Sequence, residues 1–312
     1  MSIFVVIFMY AAWSSIFSIG KWTLEFSPPL FLTASRMLFA GLIMTGYLLL
    51  RKRSSFKISR KQLLSLLLLG VFSIYLTNIC EFWGLQHLTA AKTCFIYSLS
   101  PFFAALFSYL HFGEKLSRAK MIGMGIGFLG FLPVLYTQTG SEDLLKALGF
   151  ISWPELAIMG AALCSVYGWV LLRLVVKDDE VSPMMANGTS MLFGGALALA
   201  HSFFIDSWAP TPIAAGHMGS FIQGTIVMTL ISNIICYNLY GMMLRKFTAT
   251  FLSFMGLLSP IFASLNSWII LGEQPSWIIF MSTGVVSIGL WVIYRAELKL
   301  GYIKKSEPAA AA

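Results

Sequence analysis

Charged residues are scarce in this sequence, and their scarcity excludes a soluble protein. Lys, Arg, Asp and Glu make up 11% of the 312 residues, whereas soluble domains average about a quarter. The 21 basic and 13 acidic side chains are too few to solvate a globular surface of this size. The hydrophobic residues, 58% of the total, come in long uninterrupted runs, which indicate membrane-spanning helices.

Other absences narrow the class further. The apolar runs lack the apolar–polar alternation of transmembrane β-strands, so a β-barrel is excluded. The four cysteines lie inside apolar runs without CxxC spacing, so neither disulfides nor zinc sites are expected. The N-terminal MSIFVVIFMY has no basic region and no small-residue cleavage site, which indicates a retained first helix rather than a removed signal peptide. We expect no cofactor and no metal.

The apolar runs predict an all-α polytopic membrane protein with ten transmembrane helices. Each run is long enough to cross a hydrocarbon core of about 30 Å, and short connections with turn residues separate the runs. The predicted spans are 3–20, 29–50, 63–85, 90–112, 118–136, 155–173, 183–201, 219–240, 249–271 and 277–294.

The distribution of Lys and Arg predicts the orientation. The loops on the side of the N-terminus, together with the C-terminal tail, hold 17 basic residues, whereas the opposite loops hold two, Lys21 and Lys146. Since positive charge collects in cytoplasmic loops, both termini are expected in the cytoplasm. The same rule accounts for the net charge of +8 without a nucleic-acid partner.

The chain also contains an internal repeat. SLSPFFAALFSYLHFGEKLS at 98–117 and LLSPIFASLNSWIILGEQPS at 257–276 are identical at ten of twenty positions, 159 residues apart. This register indicates a duplication. Five spans precede the boundary and five follow it, so the copies, repeat 1 at 3–136 and repeat 2 at 155–294, are predicted to be inverted, with a cytoplasmic tail at 295–312. Inverted repeats are typical of secondary transporters, whose substrate site lies near the midplane between the halves.

Both copies carry motifs of a known family. These motifs are Trp13-Ser-Ser-Ile-Phe17 with Lys21, Pro29 with Arg36 and Ala40, the modules Pro101…Gly113-Glu114 and Pro260…Gly272-Glu273, and Gly160-Ala-Ala-Leu163 with Trp169 and Arg173. From about residue 4 to 294 the chain resembles the drug/metabolite transporter superfamily, specifically its EamA-type ten-helix branch. Two departures are Ser14, where the family often has glycine, and the lack of an Arg36 counterpart in helix seven. The resemblance implies a carrier of the bacterial cytoplasmic membrane without its own ATPase. Within the branch, the chain is similar to the S-adenosylmethionine/S-adenosylhomocysteine exchangers of intracellular bacteria.

Polar and aromatic residues inside the spans are the candidates for substrate binding, because ionisable groups in hydrocarbon are costly and are functional by default. The candidates are Glu81, Arg36, Asn78, Lys92, Asn233, Tyr237, Asn238, Trp13 and Trp169. Each has a structural alternative: a carboxylate can reach the outer water, an arginine can pair within the fold, a lysine or tryptophan can anchor at the interface, and amides can bond between helices. Pro101 and Pro260 are candidate hinges or static kinks.

These residues predict a secondary transporter that moves a small, amino-acid-like metabolite by alternating access. Arg36 suits a carboxylate, Glu81 suits an amine or a sulfonium, and the aromatic faces suit a ring. Its partners are the small-molecule substrate and the lipid bilayer, and it is expected to be a monomer or a homodimer. The runner-up is a proton-coupled exporter of amino acids or cationic drugs, in which Glu81 titrates.

Two further classes are disfavoured. An intramembrane enzyme would need paired Asp, Ser-His or His-rich groups within the membrane, and no Asp lies in any predicted span. A channel would need a symmetric ring of selectivity groups, which a single chain with two polar patches does not supply.

Overall fold

A computed structural model describes residues 2–51, 60–88, 93, 96–97, 99–114, 117–138, 152–177, 181–259, 261–262 and 277–301. Within these ranges the chain forms helices and no strand. The helices are α1 (Ser2–Leu24), α2 (Pro29–Arg51), α3 (60–87), α4 (Ser100–Phe112), α5 (Arg118–Gln138), α6 (Trp153–Val176), α7 (Pro183–Ile205), α8 (Met218–Met243), α9 (Ala249–Leu258) and α10 (Trp277–Lys299).

Among the described residues, six helices are long and apolar enough to cross a membrane. They are α1, α2, α3, α6, α7 and α8, whose candidate spans have 22 to 26 residues each, and these spans agree with six of the predicted ones. Helices α5, with 21 residues, and α10, with 23 residues, cover the predicted spans 118–136 and 277–294. The predicted spans 90–112 and 249–271 lie partly outside the described residues. In the part of the chain that the structure describes, the fold is all-helical, with six helices that suit a polytopic membrane protein.

Local sequence signals set several helix ends. The hydroxyl of Ser182 accepts a hydrogen bond from the backbone N–H of Met185 (3.2 Å) at the start of α7. The hydroxyl of Thr248 does the same for Phe251 (3.0 Å) at the start of α9. Both are N-caps, which satisfy N–H groups that have no partner within the helix. At the end of α4, Gly113 adopts the left-handed conformation (φ 63°) that favours glycine.

Helices α3 and α8 each contain a π-helical segment in the middle. The segments, Gly70–Leu76 and Thr229–Cys236, begin 159 residues apart, which is the offset of the sequence repeat. Such i→i+5 turns are rare and occur frequently at functional sites. In α3, side chains bond carbonyls of the wide turn: Thr77 Oγ1 donates to Phe72 O (2.7 Å), and Asn78 Nδ2 donates to Ile74 O (2.8 Å). These bonds matter because hydrocarbon offers backbone groups no alternative partner.

Glycines allow close packing between α5 and α10. A Cβ atom on Gly123 would lie 2.9 Å from the carbonyl oxygen of Gly289, and one on Gly289 would lie 2.7 Å from the carbonyl oxygen of Gly123. Any larger side chain would therefore force the two backbones apart. Small residues that let helices approach are typical of packing inside membranes.

The connections meet in two groups. The backbone N–H of Ala214, between α7 and α8, donates to the carbonyl of Phe26, between α1 and α2 (2.9 Å), and the rings of Phe26 and His217 stack at 4.7 Å. In the other group, Arg245 after α8 donates to the carbonyls of Val176 and Val181 around the α6–α7 connection (3.2 Å each). Connections that were predicted to share a side of the membrane therefore lie together.

A buried ion cluster links several helix ends. Arg173 Nη1 lies 2.6 Å from Glu114 Oε1, and Lys120 Nζ lies 2.7 Å from Glu297 Oε1 and 3.9 Å from Glu114 Oε2. The hydroxyl of Thr248 lies 2.7 and 2.6 Å from the two carboxylate oxygens of Glu297. These five residues, called the ion cluster below, come from both halves of the sequence. Two cations face two anions, so the cluster carries no net charge.

Candidate functional site

A cavity lies between the two halves of the chain. It encloses about 1030 Å³, including the part open to solvent. Ten of its twenty lining residues precede residue 145 and ten follow it. Six predicted site residues line it: Trp13, Arg36, Asn78, Glu81, Trp169 and Tyr237.

Equivalent positions of the two sequence copies line this cavity. At the 159-residue offset, the matching pairs are Tyr10 with Trp169, Asn78 with Tyr237, Glu81 with Tyr240, Tyr97 with Gly256, and Ser100 with Ser259. The backbone positions thus correspond, but the chemistry differs. Both charged lining residues come from the first half, so the cavity has one ionic side and one neutral side.

The side chain of Arg36 is held in position by the π-helical turn of α3. Its Nη2 donates a hydrogen bond to Asn78 Oδ1, while the amide nitrogen of Asn78 is bonded to the Ile74 carbonyl of that turn. The guanidinium carbon lies 4.9 Å from the ring centroid of Phe82. Arg36 is 2% exposed, and its Nε donates to no group among the described residues. A guanidinium with an unused donor in a cavity can take a carboxylate.

Glu81 brings a negative charge to the same cavity. Its carboxylate accepts a hydrogen bond from the hydroxyl of Tyr97. In the described part of the chain, no ion pair joins Glu81 to Arg36 within 4 Å, although the phenol of Tyr237 is close enough to interact electrostatically with both. Arg36 and Glu81 interact electrostatically with each other over a longer distance, and their role in substrate binding stays a prediction. The two charges are held near each other but apart.

Five aromatic rings converge beside these charges. The Trp13 ring lies 6.2 Å from Tyr10, 5.8 Å from Trp169, 5.4 Å from Tyr237 and 6.0 Å from Tyr240. The Trp169 and Tyr240 rings lie 4.1 Å apart. All five residues line the cavity and are called the aromatic cluster below. It joins α1 of the first half to α6 and α8 of the second.

Three residues of this site were missed by the sequence prediction. Tyr10 and Tyr240 lie one helical turn from the predicted Trp13 and Tyr237, so helical spacing from these residues is a signal that could have found them. Tyr97 precedes the repeated module, and nothing in its local sequence marks it as the partner of Glu81.

Two predicted residues lie away from the cavity. Asn233 is fully buried with its amide nitrogen 2.9 Å from Met37 Sδ, and Asn238 bonds the Ile234 carbonyl (2.8 Å) and the amide of Asn187 (3.3 Å). Asn233 thus contacts α2 and Asn238 contacts α7. These contacts fit the structural alternative for both residues, in which amides bond between helices. Asn233 and Tyr237 are four residues apart, a spacing that places two side chains on one face of an α-helix. Asn233 lies in the π-helical segment and Tyr237 follows it directly, and because an i→i+5 turn is wider than an α-helical turn, the two side chains do not share a face.

Three other predicted residues, Pro101, Lys92 and Pro260, lie in or near α4 and in the repeated module of the second half. Pro101 lies in the first turn of α4, where a missing N–H removes no helical bond. Its role as a hinge stays a prediction. Lys92 and Pro260 lie outside the described residues.

Comparison with known proteins decides the family. The EamA-like transporter family matches residues 1–136 and 152–295, which together make up most of the chain. The chain belongs to the EamA-like transporter family. It is therefore a membrane transporter, as its resemblance to the EamA-type branch implied.

Relatives of this EamA-like transporter are found across bacteria. A protein of Chlamydia muridarum (strain MoPn / Nigg) is 39% identical over 98% of this chain and 96% of its own length, and is named "S-adenosylmethionine/S-adenosylhomocysteine transporter". A protein of the same name from Chlamydia trachomatis serovar L2 is 39% identical over 98% of this chain and 93% of its own. The Escherichia coli (strain K12) protein named "Uncharacterized inner membrane transporter YedA" is 24% identical over 97% of this chain and 92% of its own.

A solved structure shares the fold of this EamA-like transporter. That crystal structure is 16% identical in sequence and superposes with a TM-score of 0.73 over 95% of this chain and 97% of the other. At this identity the likeness shows the fold alone.

Proposed function

We propose that this transporter exchanges S-adenosylmethionine for S-adenosylhomocysteine across the cytoplasmic membrane by alternating access. The observation that carries the proposal is the separation of Arg36 from Glu81 in one cavity. Ionisable groups at membrane depth are costly and are functional candidates by default, and these two form no direct ion pair with each other. The name of the relatives that are 39% identical supports the choice of substrate.

The two charges fit the head group of an amino acid. Its carboxylate would bind the guanidinium of Arg36, whose planar fork matches a carboxylate. Its ammonium would bind Glu81, whose carboxylate Tyr97 holds in place. Asn78 already touches Arg36 and lies one turn before Glu81 on α3, so it would fix the distance between the two binding groups.

The architecture that goes with this function is ten spans in two inverted repeats, with both termini in the cytoplasm. The grouping of connections and the matched cavity positions support this arrangement. Single cysteines at the exposed positions Ala119 and Ala215, in a background without native cysteines, should be labelled from opposite sides of the membrane. Labelling of both from the same side would contradict the inverted repeat.

Exchange is tested in proteoliposomes whose membrane potential is clamped with potassium and valinomycin. Labelled S-adenosylmethionine should enter vesicles loaded with S-adenosylhomocysteine, should not accumulate in empty vesicles, and should continue entering when a protonophore is added.

The second candidate is the proton-coupled exporter, which rests on the carboxylate of Glu81 inside the cavity. It predicts uptake that needs no counter-substrate and collapses when the pH gradient is dissipated. That outcome would overturn the exchange proposal.

A further inference from the structure

The cavity carries fewer negative charges than the proposed substrate carries positive ones. S-adenosylmethionine has an ammonium and a sulfonium, whereas Glu81 is the single acidic residue among the residues that line the described cavity. Once the ammonium occupies Glu81, the sulfonium has no carboxylate left to bind. An unpaired cation in a buried site is costly, so another group has to receive it.

The aromatic cluster offers a favourable environment for a cation. All five of its members are Trp or Tyr, and the negative face of an aromatic ring attracts a cation within about 6 Å, with Trp the strongest. Arg36, the other charged lining residue, has the wrong sign for a cation.

The position of the cluster matches the chemistry of the substrate. In S-adenosylmethionine the sulfonium is separated from the α-carbon by two methylene groups, so it must lie next to the head group. Tyr237 interacts with the polar groups that would bind the head group, and its ring lies 5.4 Å from Trp13 and 4.9 Å from Trp169. These rings therefore lie next to the part of the cavity that holds Arg36 and Glu81.

We propose that the aromatic cluster, with Trp13 and Tyr237 at its centre, binds the sulfonium and so sets the preference of the carrier for S-adenosylmethionine over S-adenosylhomocysteine. The proposal rests on the proposed function. S-adenosylhomocysteine is a neutral thioether at the same position, and it gains nothing electrostatic from the rings. Two substrates of nearly identical shape are thus distinguished by charge, while Arg36 and Glu81 bind the head group that both share.

The test measures the affinities of both compounds for the purified full chain in detergent. Site-specific fluorinated tryptophans at Trp13 keep the shape of the ring but weaken its negative face. Affinity for S-adenosylmethionine should fall stepwise with each added fluorine, and affinity for S-adenosylhomocysteine should stay constant. Trp13→Leu should lower the ratio of the two affinities about 3- to 30-fold. Phe17→Leu is the matched control, since Phe17 lines the cavity outside the aromatic cluster, and it should leave the ratio unchanged.

The alternative location of the sulfonium is Glu81. In that case fluorination would leave the ratio constant and Glu81→Gln would lower it, which would overturn the inference. If Trp13→Leu fails to fold, the fluorinated tryptophans still distinguish a sulfonium bound at the aromatic cluster from one bound at Glu81. If the wild-type chain binds neither compound, the proposed function fails first and the inference fails with it.

Discussion

Charged side chains lie within the fold in two regions, the ion cluster and the cavity, and their ionic contacts differ. In the ion cluster, Lys120 and Arg173 each lie within 2.7 Å of a carboxylate oxygen. In the cavity, Arg36 is buried and Glu81 is half-buried, and no ion pair within 4 Å joins them in the described part of the chain. The amides and hydroxyls around them orient these two charges without neutralising them.

We expect this difference to separate charges that stabilise the fold from charges that bind the substrate. Removing one partner from a buried ion pair leaves the other charge uncompensated and destabilises the fold. Arg36 and Glu81 interact only over a distance longer than 4 Å, so removing one of them destabilises the other less than breaking a direct ion pair does. The loss of either charge should therefore appear in the binding of a ligand rather than in stability.

The largest expected effect is on the ion cluster. Lys120→Met should lower the free energy of unfolding by about 3–5 kcal/mol, because Glu297 loses its cation. Thermal unfolding of the purified protein measures this change. Adding Glu297→Gln should restore part of the stability, since it removes the uncompensated anion. A Lys120→Met protein as stable as wild type would mean that the cluster does not stabilise the fold.

The same substitution placed in both regions sharpens the comparison. Arg36→Gln should weaken the binding of both adenosyl compounds about 100-fold, which corresponds to about 3 kcal/mol, and should abolish exchange at low substrate concentration with little change in melting temperature. Arg173→Gln should do the reverse, because its partner Glu114 lies in the ion cluster. Binding isotherms and melting curves of the two variants are the measurements. If Arg36→Gln lowers the melting temperature as much as Arg173→Gln does, the distinction between the regions fails.

The smallest expected effect concerns the positioning of Glu81. Tyr97→Phe removes the hydroxyl that donates to the carboxylate while keeping the ring, which lies 6.3 Å from Phe17. One hydrogen bond to a charged group contributes about 1.5–3 kcal/mol at most, so affinity for both compounds should fall by about 10-fold. The Tyr97→Phe protein should keep the wild-type ratio of the two affinities. A changed ratio would place the sulfonium at Glu81 instead.

The sequence revealed most of the helices and two-thirds of the candidate residues in the cavity because both follow from simple rules. Long apolar runs form spans, and an arginine deep within a span has to face the protein interior. Asn233 and Tyr237 were expected on one face of α8 because a four-residue spacing assumes 3.6 residues per turn. The sequence of α8 contains no residue that predicts the π-helical turn, so this expectation was wrong. Tyr97 could not be predicted as a site residue either, because its contact with Glu81 depends on how α3 packs against the segment before α4.

The two π-helical turns also carry a record of how the molecule arose. An i→i+5 turn contains one residue more than an α-helical turn would use over the same length. GVFSIYL and TLISNIIC share almost no residues, yet both contain that extra residue at the same position of the repeat. A single gain before the gene doubled explains this more simply than two separate gains afterwards. The wide turn that now positions Asn78 is therefore older than the division of the cavity into an ionic and a neutral side. The ancestral half-length chain already had this turn. The difference between the side of the cavity that carries Arg36 and Glu81 and the neutral side arose after the doubling.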